Sequence, residues 1–320
     1  MRADFPKQTL KELIIKYIPE AKEKVSFRPI PTGKFNRSYY VSTPRGEFVL
    51  RIAPPPGTTL LFYEKDMMRQ EPVVHEIVLK KTSVPVPKII AFDDSFEVVN
   101  RMFLIMEKLP GRALSEVAIA NYDEILTQVG ACLSQIHRIH GEKYGYVGPH
   151  KPMDPQDSWC EAFRIMWRKL IDDIQSTGHY SPQEGKALKN LLDSYLEYFE
   201  RPVPPSLLHM DIWSQNILID REGTLTGIVD WDRALWGDPE IEFAVLDYCG
   251  ISEPAFWKGY AAERDTSAPA RLRGIFYFLY ELQKYIVIRH GRNHDPVRAA
   301  AYKQSAFSLL DRAFGKAWRK

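Results

Sequence analysis

The sequence predicts an α+β fold with a strand-rich first third and a mainly helical remainder. Three observations lead there. Short alternating segments crowd residues 27–52, helical periodicity dominates from residue 122 onward, and a polar cluster with catalytic spacing lies between short strands near residue 210. A length of 320 residues suits one two-lobed unit or two domains. The chain is 45% hydrophobic and 26% charged with a formal net charge of +2. That balance gives no reason to expect nucleic acid or an anionic membrane as a general partner. Cys132, Cys160 and Cys249 are far apart and match no metal spacing, so a reduced, cytoplasmic setting is expected. Lys16 and Glu20 interrupt the apolar stretch Leu13–Ile18, so no secretory leader is expected, and no apolar run approaches membrane-spanning length.

Taken in order, residues 9–24 read as an amphipathic helix with Leu10, Leu13, Ile14 and Tyr17 on one face. Strands are expected at Phe27–Ile30 and Tyr39–Ser42. The glycine-bearing turn between them, Thr32–Ser38, can lay backbone N–H groups over phosphates. Thr43-Pro44-Arg45-Gly46 has β-turn composition, and Glu47–Ile52 alternates, with Val49 and Arg51 on the face opposite Phe48, Leu50 and Ile52. Pro54-Pro55-Pro56-Gly57 breaks the chain before a helical stretch that runs to about Lys81. Phe103–Met106 is a buried strand, ended by Glu107-Lys108-Leu109-Pro110-Gly111. Helices are expected over 122–140, 159–175, 184–199, 253–263, 270–289 and 297–318. Histidines 137 and 140 read as residues at a helix end, near its negative pole.

Residues 208–232 carry the chemistry. They place His209, Asp211 and Asn216 at His-x-Asp-x-x-x-x-Asn spacing, with Asp230 after a further hydrophobic run. Ile217–Ile219 and Leu225–Val229 read as strands joined by the turn Asp220-Arg221-Glu222-Gly223, which would return Asp230 to Asn216. Phosphoryl transfer needs a hydroxyl held in line, a carboxylate to orient it and take its proton, and magnesium to neutralise phosphate charge. Asp211 suits the first carboxylate; the Asn216 side-chain oxygen and Asp230 suit magnesium. Asp232 is open between assisting the metal and holding backbone. His209 is expected to bond backbone and fix the loop.

This segment resembles the aminoglycoside phosphotransferase and choline kinase-like family, small-molecule kinases with a protein-kinase-like fold. Met210 stands where that family usually has glycine, and Trp231, Ala234, Gly237, Asp238 and Pro239 resemble its Asp-Trp-x-x-Ala-x-x-Gly-Asp-Pro run. The resemblance implies a two-lobed fold, residues 1–106 forming an antiparallel-sheet nucleotide lobe and 107–320 a mainly helical catalytic lobe. It implies ATP, with GTP as an alternative, and Mg2+. By the same resemblance Gly33, Asn36 and Ser38 form the nucleotide loop, Arg51 replaces the usual strand lysine, and backbone at Glu107 and Leu109 binds adenine. A glutamate should pair with Arg51; Glu71 is preferred for its offset to Val84-Pro85-Val86-Pro87, although Pro72 follows it, and Glu76 stays open. Asp238 is expected to cap a helix starting at Pro239.

Gly237-Asp238-Pro239 follows Asp230 within seven residues, too soon for a protein kinase's activation segment. A small-molecule hydroxyl acceptor is therefore expected: an antibiotic, choline, a sugar or an amino alcohol. Helices over 155–195 and 245–290 would line its site. Between residues 225 and 253 seven acids (230, 232, 238, 240, 242, 247, 253) face one base, Arg233, which would suit a cationic acceptor. A nucleotide-binding pseudokinase without turnover is the alternative, for which Arg51 and Met210 leave room.

Overall fold

The computed structural model describes residues 5–33, 35–118 and 121–319. Lys34 of the expected nucleotide loop lies outside them. Helix α1 (Lys7–Ile15) is shorter than its apolar pattern, because Pro19 cannot continue a helix and holds Ile18 in an extended conformation. The pattern resumes as a 3-10 turn at Pro19–Lys22. Strands β1 (Ser26–Pro29), β2 (Arg37–Thr43) and β3 (Gly46–Ile52) follow, β2 and β3 joined at Pro44-Arg45 with Thr43 opposite Gly46. Helix α2 (Glu71–Lys81) starts later than its apolar pattern, and Pro72 sits in its first turn, where the missing N–H costs nothing. With β4 (Ile89–Asp93) and β5 (Phe103–Glu107), these strands form an antiparallel sheet in the order β1-β2-β3-β5-β4. Leu50, Ile52, Phe103 and Ile105 pack on α1 from one face.

The chain then leaves the sheet through β6 (Arg112–Ala113) and enters helix α3 (Tyr122–His137). Strand β7 (Gly145–Tyr146) and helices α4 (Trp159–Ser176) and α5 (Pro182–Asp193) come next. The catalytic segment lies among short strands β8 (Ser206–Leu208), β9 (Ile217–Ile219), β10 (Leu225–Ile228) and β11 (Leu235–Gly237). Helices α6 (Pro239–Cys249), α7 (Pro254–Tyr260), α8 (Ala268–Val287) and α9 (Pro296–Phe314) complete the fold. Between α8 and α9 one turn, Ile288–Arg292, is π-helical. The fold is thus a sheet-bearing lobe followed by a helical one, as expected.

Two glycines let α3 and α7 touch backbone to backbone. A Cβ on Gly259 would fall 1.8 Å from the Thr127 carbonyl oxygen, and one on Gly130 2.1 Å from that of Phe256. This contact seats Tyr260 of α7 on His137 of α3, whose other ring nitrogen meets Glu242. Gly259→Ala is expected to cost about 1–3 kcal/mol in urea unfolding. Gly274→Ala, in helix α8 with nothing within 4 Å, is expected to gain up to about 1 kcal/mol by removing helical glycine.

Candidate active site

The hairpin β9–β10 positions the first group of polar residues. Asp220 accepts N–H bonds from Glu222 and Thr224 (3.0 and 2.8 Å), and Gly223 takes a positive φ of 83°, closing the turn. Val229 N–H then donates to the Asn216 carbonyl at 3.0 Å, which places Asp230 beside Asn216. Asn216 Nδ2 donates to the Asp211 carbonyl (2.9 Å) and to Asp211 Oδ2 (3.0 Å). Its side-chain oxygen is left for another partner.

His209 sets the loop from within. Its Nε2–H donates to the Val229 carbonyl at 3.1 Å, so Nδ1 is the acceptor for Asp211 N–H at 3.2 Å. Burial pushes its pKa down, which keeps the ring neutral and the tautomer fixed. Glu242 of α6, fully buried, accepts the backbone N–H groups of His209 (3.0 Å) and Met210 (2.6 Å). Burial pushes the Glu242 carboxyl up, but the His137 hydrogen bond, at 2.8 Å, helps hold it below the usual range. His137 is therefore no mere helix-end residue: it braces the carboxylate that holds the backbone at His209 and Met210.

Met210 and Asp230 both lie in the left-handed region, at φ 64° and 72°. Glycine meets no steric penalty there, which explains the family's preference at position 210. Strained non-glycine residues of this kind cluster at functional sites.

Arg51 on β3 collects three carboxylates. Its Nη1 donates to Glu71 Oε2 at 2.6 Å, and its Nη2 to Asp230 Oδ1 (2.6 Å) and Asp232 Oδ2 (3.1 Å). Glu71, at the first turn of α2, is the glutamate brought to Arg51; Glu76 is exposed and pairs with Lys80. Burial pushes Glu71 up to about 7 against the pull of Arg51. Burial and the neighbouring Asp230 push Asp232 well above the usual carboxylate range. Asp232 also accepts from Asn36 Nδ2 at 3.4 Å, while its carbonyl and that of Ala234 take Gln70 Nε2 at 2.6 and 3.0 Å. His75, pushed down to about 4 by burial, donates Nδ1–H to the Pro87 carbonyl, which ties α2 to the Val84–Pro87 run.

Asp211 is held by Arg233, whose Nη1 donates to Oδ1 at 2.6 Å. Burial would raise its pKa, but the charges of Arg233 and Lys284 bring it below the usual value, so the group is an ionised carboxylate. Arg233 also reaches Glu281 at 3.4 Å, and Glu281 pairs with Lys284 at 2.5 Å. The sequence offered no periodicity or spacing that marks Gln70, Arg233, Glu281 or Lys284. All four are polar positions that tertiary packing alone brings to the site.

The site opens on one cavity of about 650 Å3. Gly33, Asn36, Ser38, Arg51, Glu107, Leu109, Asp211, Asn216 and Asp230 all border it, and Glu71 reaches it through Arg51. At the strand end, Glu107 N–H is spent on the Lys88 carbonyl (2.9 Å) and Lys108 N–H on that of Glu47 (3.3 Å). Among the described residues no acceptor takes Leu109 N–H. Gly111, at φ 92°, lets this segment pass the Ile219 carbonyl, which a Cβ would meet at 2.5 Å.

Six of the seven acids counted between residues 225 and 253 are engaged by partners, and Glu253 is exposed. Asp238 caps α6 and pairs with Arg201, Glu240 pairs with Arg273 and Asp247 with Arg264. Glu242 holds the loop, and Asp230 and Asp232 surround Arg51. Trp159 is buried in the core, and Trp257 is half-buried against Phe243 and Phe256.

A family model for the phosphotransferase enzyme family matches residues 26–275. The chain belongs to that family. It is 25% identical over 292 residues to a Staphylococcus aureus protein named probable ketoamine kinase, covering 88% of this chain and 91% of that one. It is 31% identical over 234 residues to the homoserine kinase of Burkholderia cenocepacia, 71% of this chain and 62% of that one. Among solved structures, a thermostable mutant of aminoglycoside phosphotransferase APH(4)-Ia in ternary complex with AMP-PNP and hygromycin B shares the fold, with a TM-score of 0.64 at 16% identity over 96% of this chain and 99% of that one. The protein is thus a phosphotransferase, a kinase-type enzyme with a two-lobed protein-kinase-like fold. Among the described residues no helix is long and apolar enough to cross a membrane.

Met210 is only 2% exposed, so its side chain offsets its backbone strain by packing. Met210→Gly should relieve about 1 kcal/mol of left-handed strain and lose about 2–5 kcal/mol of burial. A net loss of stability is expected in chemical denaturation; a more stable glycine variant would contradict the assignment.

Proposed function

We propose that the enzyme transfers the γ-phosphate of ATP to a hydroxyl of a small molecule, with Asp211 as the base. The observation that carries this reading is the Asp211 carboxylate, bonded by Asn216 at 3.0 Å and by Arg233 at 2.6 Å, in one cavity with Asp230 and Arg51. A carboxylate kept charged can orient an acceptor hydroxyl and accept its proton as the phosphoryl group moves across.

Nucleotide would lie between the lobes at residues 1–106 and 107–320. Leu109 N–H and the Glu107 carbonyl would read adenine, and the Gly33, Asn36 and Ser38 turn would cover the phosphates. Arg51, oriented by Glu71, would hold phosphate oxygens; guanidinium suits them as lysine does and stays charged. GTP would meet the same phosphate contacts. The donor set fits Mg2+: Asn216 offers a side-chain oxygen, Asp230 has one oxygen outside the Arg51 bond, and one arginine faces three carboxylates. Such a cluster is short of positive charge. Two hard oxygens also suit an ion that keeps waters and substrate phosphates as its other ligands. Magnesium would supply neutralisation of developing phosphate charge.

The acceptor is a sugar-derived or hydroxy-amino-acid-like molecule, consistent with the ketoamine and homoserine kinases among the relatives. The alternative, a nucleotide sensor without turnover, rests on Arg51 standing in for lysine. It predicts nucleotide binding with no transfer.

ADP release with Mg-ATP and a panel of ketoamines, hydroxy-amino acids, sugars, choline and aminoglycosides tests the reading. Acceptor-dependent turnover should fall about 10²–10⁴-fold in Asp211→Asn. Turnover unchanged by that substitution would overturn the role of Asp211, and binding without turnover on any acceptor would favour the sensor. The acid limb of kcat/KM should lie below the ordinary carboxylate range, because Arg233 and Lys284 hold Asp211 down. Arg233→Met should move that limb to higher pH.

A further inference from the structure

The wall of the cavity away from the sheet is formed by the last turns of α8 and the π-helical turn after it. Lys284, Tyr285, Ile288, Arg289 and Arg292 all border the cavity there. Residues 284, 288 and 292 repeat at helical spacing. The wider π turn, with its five-residue hydrogen bond from Asn293 N–H to the Ile288 carbonyl, keeps Arg289 on the same wall. π-Turns inside helices are uncommon and recur at functional sites.

Charge on this wall does not balance. Arg233, Lys284, Arg289 and Arg292 supply four cations. Arg292 is bonded to Glu64, Lys284 to Glu281, and Arg233 to Asp211 and Glu281. Arg289 has no carboxylate partner among the described residues. Its Nε is buried without an acceptor among the described residues, and its guanidinium lies over the Tyr302 ring, 5.8 Å from the centroid. A guanidinium partly withdrawn from water and left unpaired is costly, and an anion would repay that cost. Asp238, Glu240 and Asp247, which might have recruited a cation, are paired with Arg201, Arg273 and Arg264.

We propose that the acceptor bears a carboxylate, and that Arg289, flanked by Lys284, docks it so that its hydroxyl faces Asp211. The cationic-antibiotic class is thereby disfavoured, and hydroxy acids, hydroxy-amino acids and sugar adducts of amino acids are favoured. This rests on the phosphoryl-transfer reading given under Proposed function. Arginine grips a carboxylate through two parallel N–H bonds, so removal of either partner should be readable in substrate preference.

The test uses matched acceptor pairs: each of several hydroxy-amino acids, sugar acids and fructosyl-amino acids beside its neutral amide, with aminoglycosides as the cationic set. Phosphate transfer by the full chain should favour the acids over their amides by about ten-fold or more in kcat/KM. Arg289→Ala should erase that preference by raising the acceptor KM, and Arg289→Lys should restore part of it. Amides or aminoglycosides accepted equally well, with Arg289→Ala indifferent, would overturn the proposal while leaving the kinase intact. A loss falling instead on the KM for Mg-ATP, equally for every acceptor, would place Arg289 on nucleotide phosphate and also overturn it. If no pair is turned over, thermal unfolding with the same compounds decides: acids must raise the midpoint of the wild type more than that of Arg289→Ala. No such difference counts against the acceptor class, whereas failure of the kinase reading shows as absence of any Asp211-dependent ADP release, even to water.

Discussion

One guanidinium holds this site together. Arg51 sits in the middle strand of the sheet, yet its three partners come from three other places: Glu71 from α2, Asp230 from the end of the β9–β10 hairpin, and Asp232 from the segment after it. The two lobes therefore meet at a point of charge. A single cation against three carboxylates leaves the cluster electron-rich, and burial answers by pushing Glu71 and Asp232 toward protonation. Breaking one partner would leave buried charge uncompensated, which costs far more than the pair itself is worth.

Around this point the fold spends its buried polar groups on holding backbone rather than on chemistry. Glu242 takes two N–H groups of the catalytic loop, His137 holds Glu242, and Tyr260 holds His137. Gln70 grips two carbonyls just past Asp230, and its side-chain oxygen takes Gly148 N–H at 3.2 Å. Each link is a hydrogen bond to a group that would otherwise be buried and unpaired. These supports sustain two residues, Met210 and Asp230, in a backbone conformation that L-residues avoid.

The legible part of the fold was the part written locally. Alternation gave β2 and β3, three-to-four spacing gave α3 and α4, and the Asp220–Gly223 turn gave the return of Asp230 to Asn216. Family resemblance added the expectation of a glutamate beside Arg51, and Glu71 stands there. The helix expected over 9–24 breaks early because a proline outweighs its apolar stripe. The basic cavity wall at the end of α8 was not legible. Sequence order did not show that Asp238, Glu240 and Asp247 pair with arginines, and nothing in it marked Lys284, Arg289 and Arg292 as cavity residues. Charge counted along a chain says little about charge facing a cavity, because partners such as Glu64 and Arg292 lie 228 residues apart.

The measurement that bears most directly on this account is a double-mutant cycle on Arg51→Met and Glu71→Gln, read as kcat/KM for Mg-ATP with an accepted hydroxyl substrate, beside Glu76→Gln as control. If Arg51 acts only when Glu71 orients it, either single change should lose nearly as much as the double, and Glu76→Gln should lose almost nothing. Additive losses, or a loss at Glu76 equal to that at Glu71, would contradict the placement of Arg51 at the centre of the site.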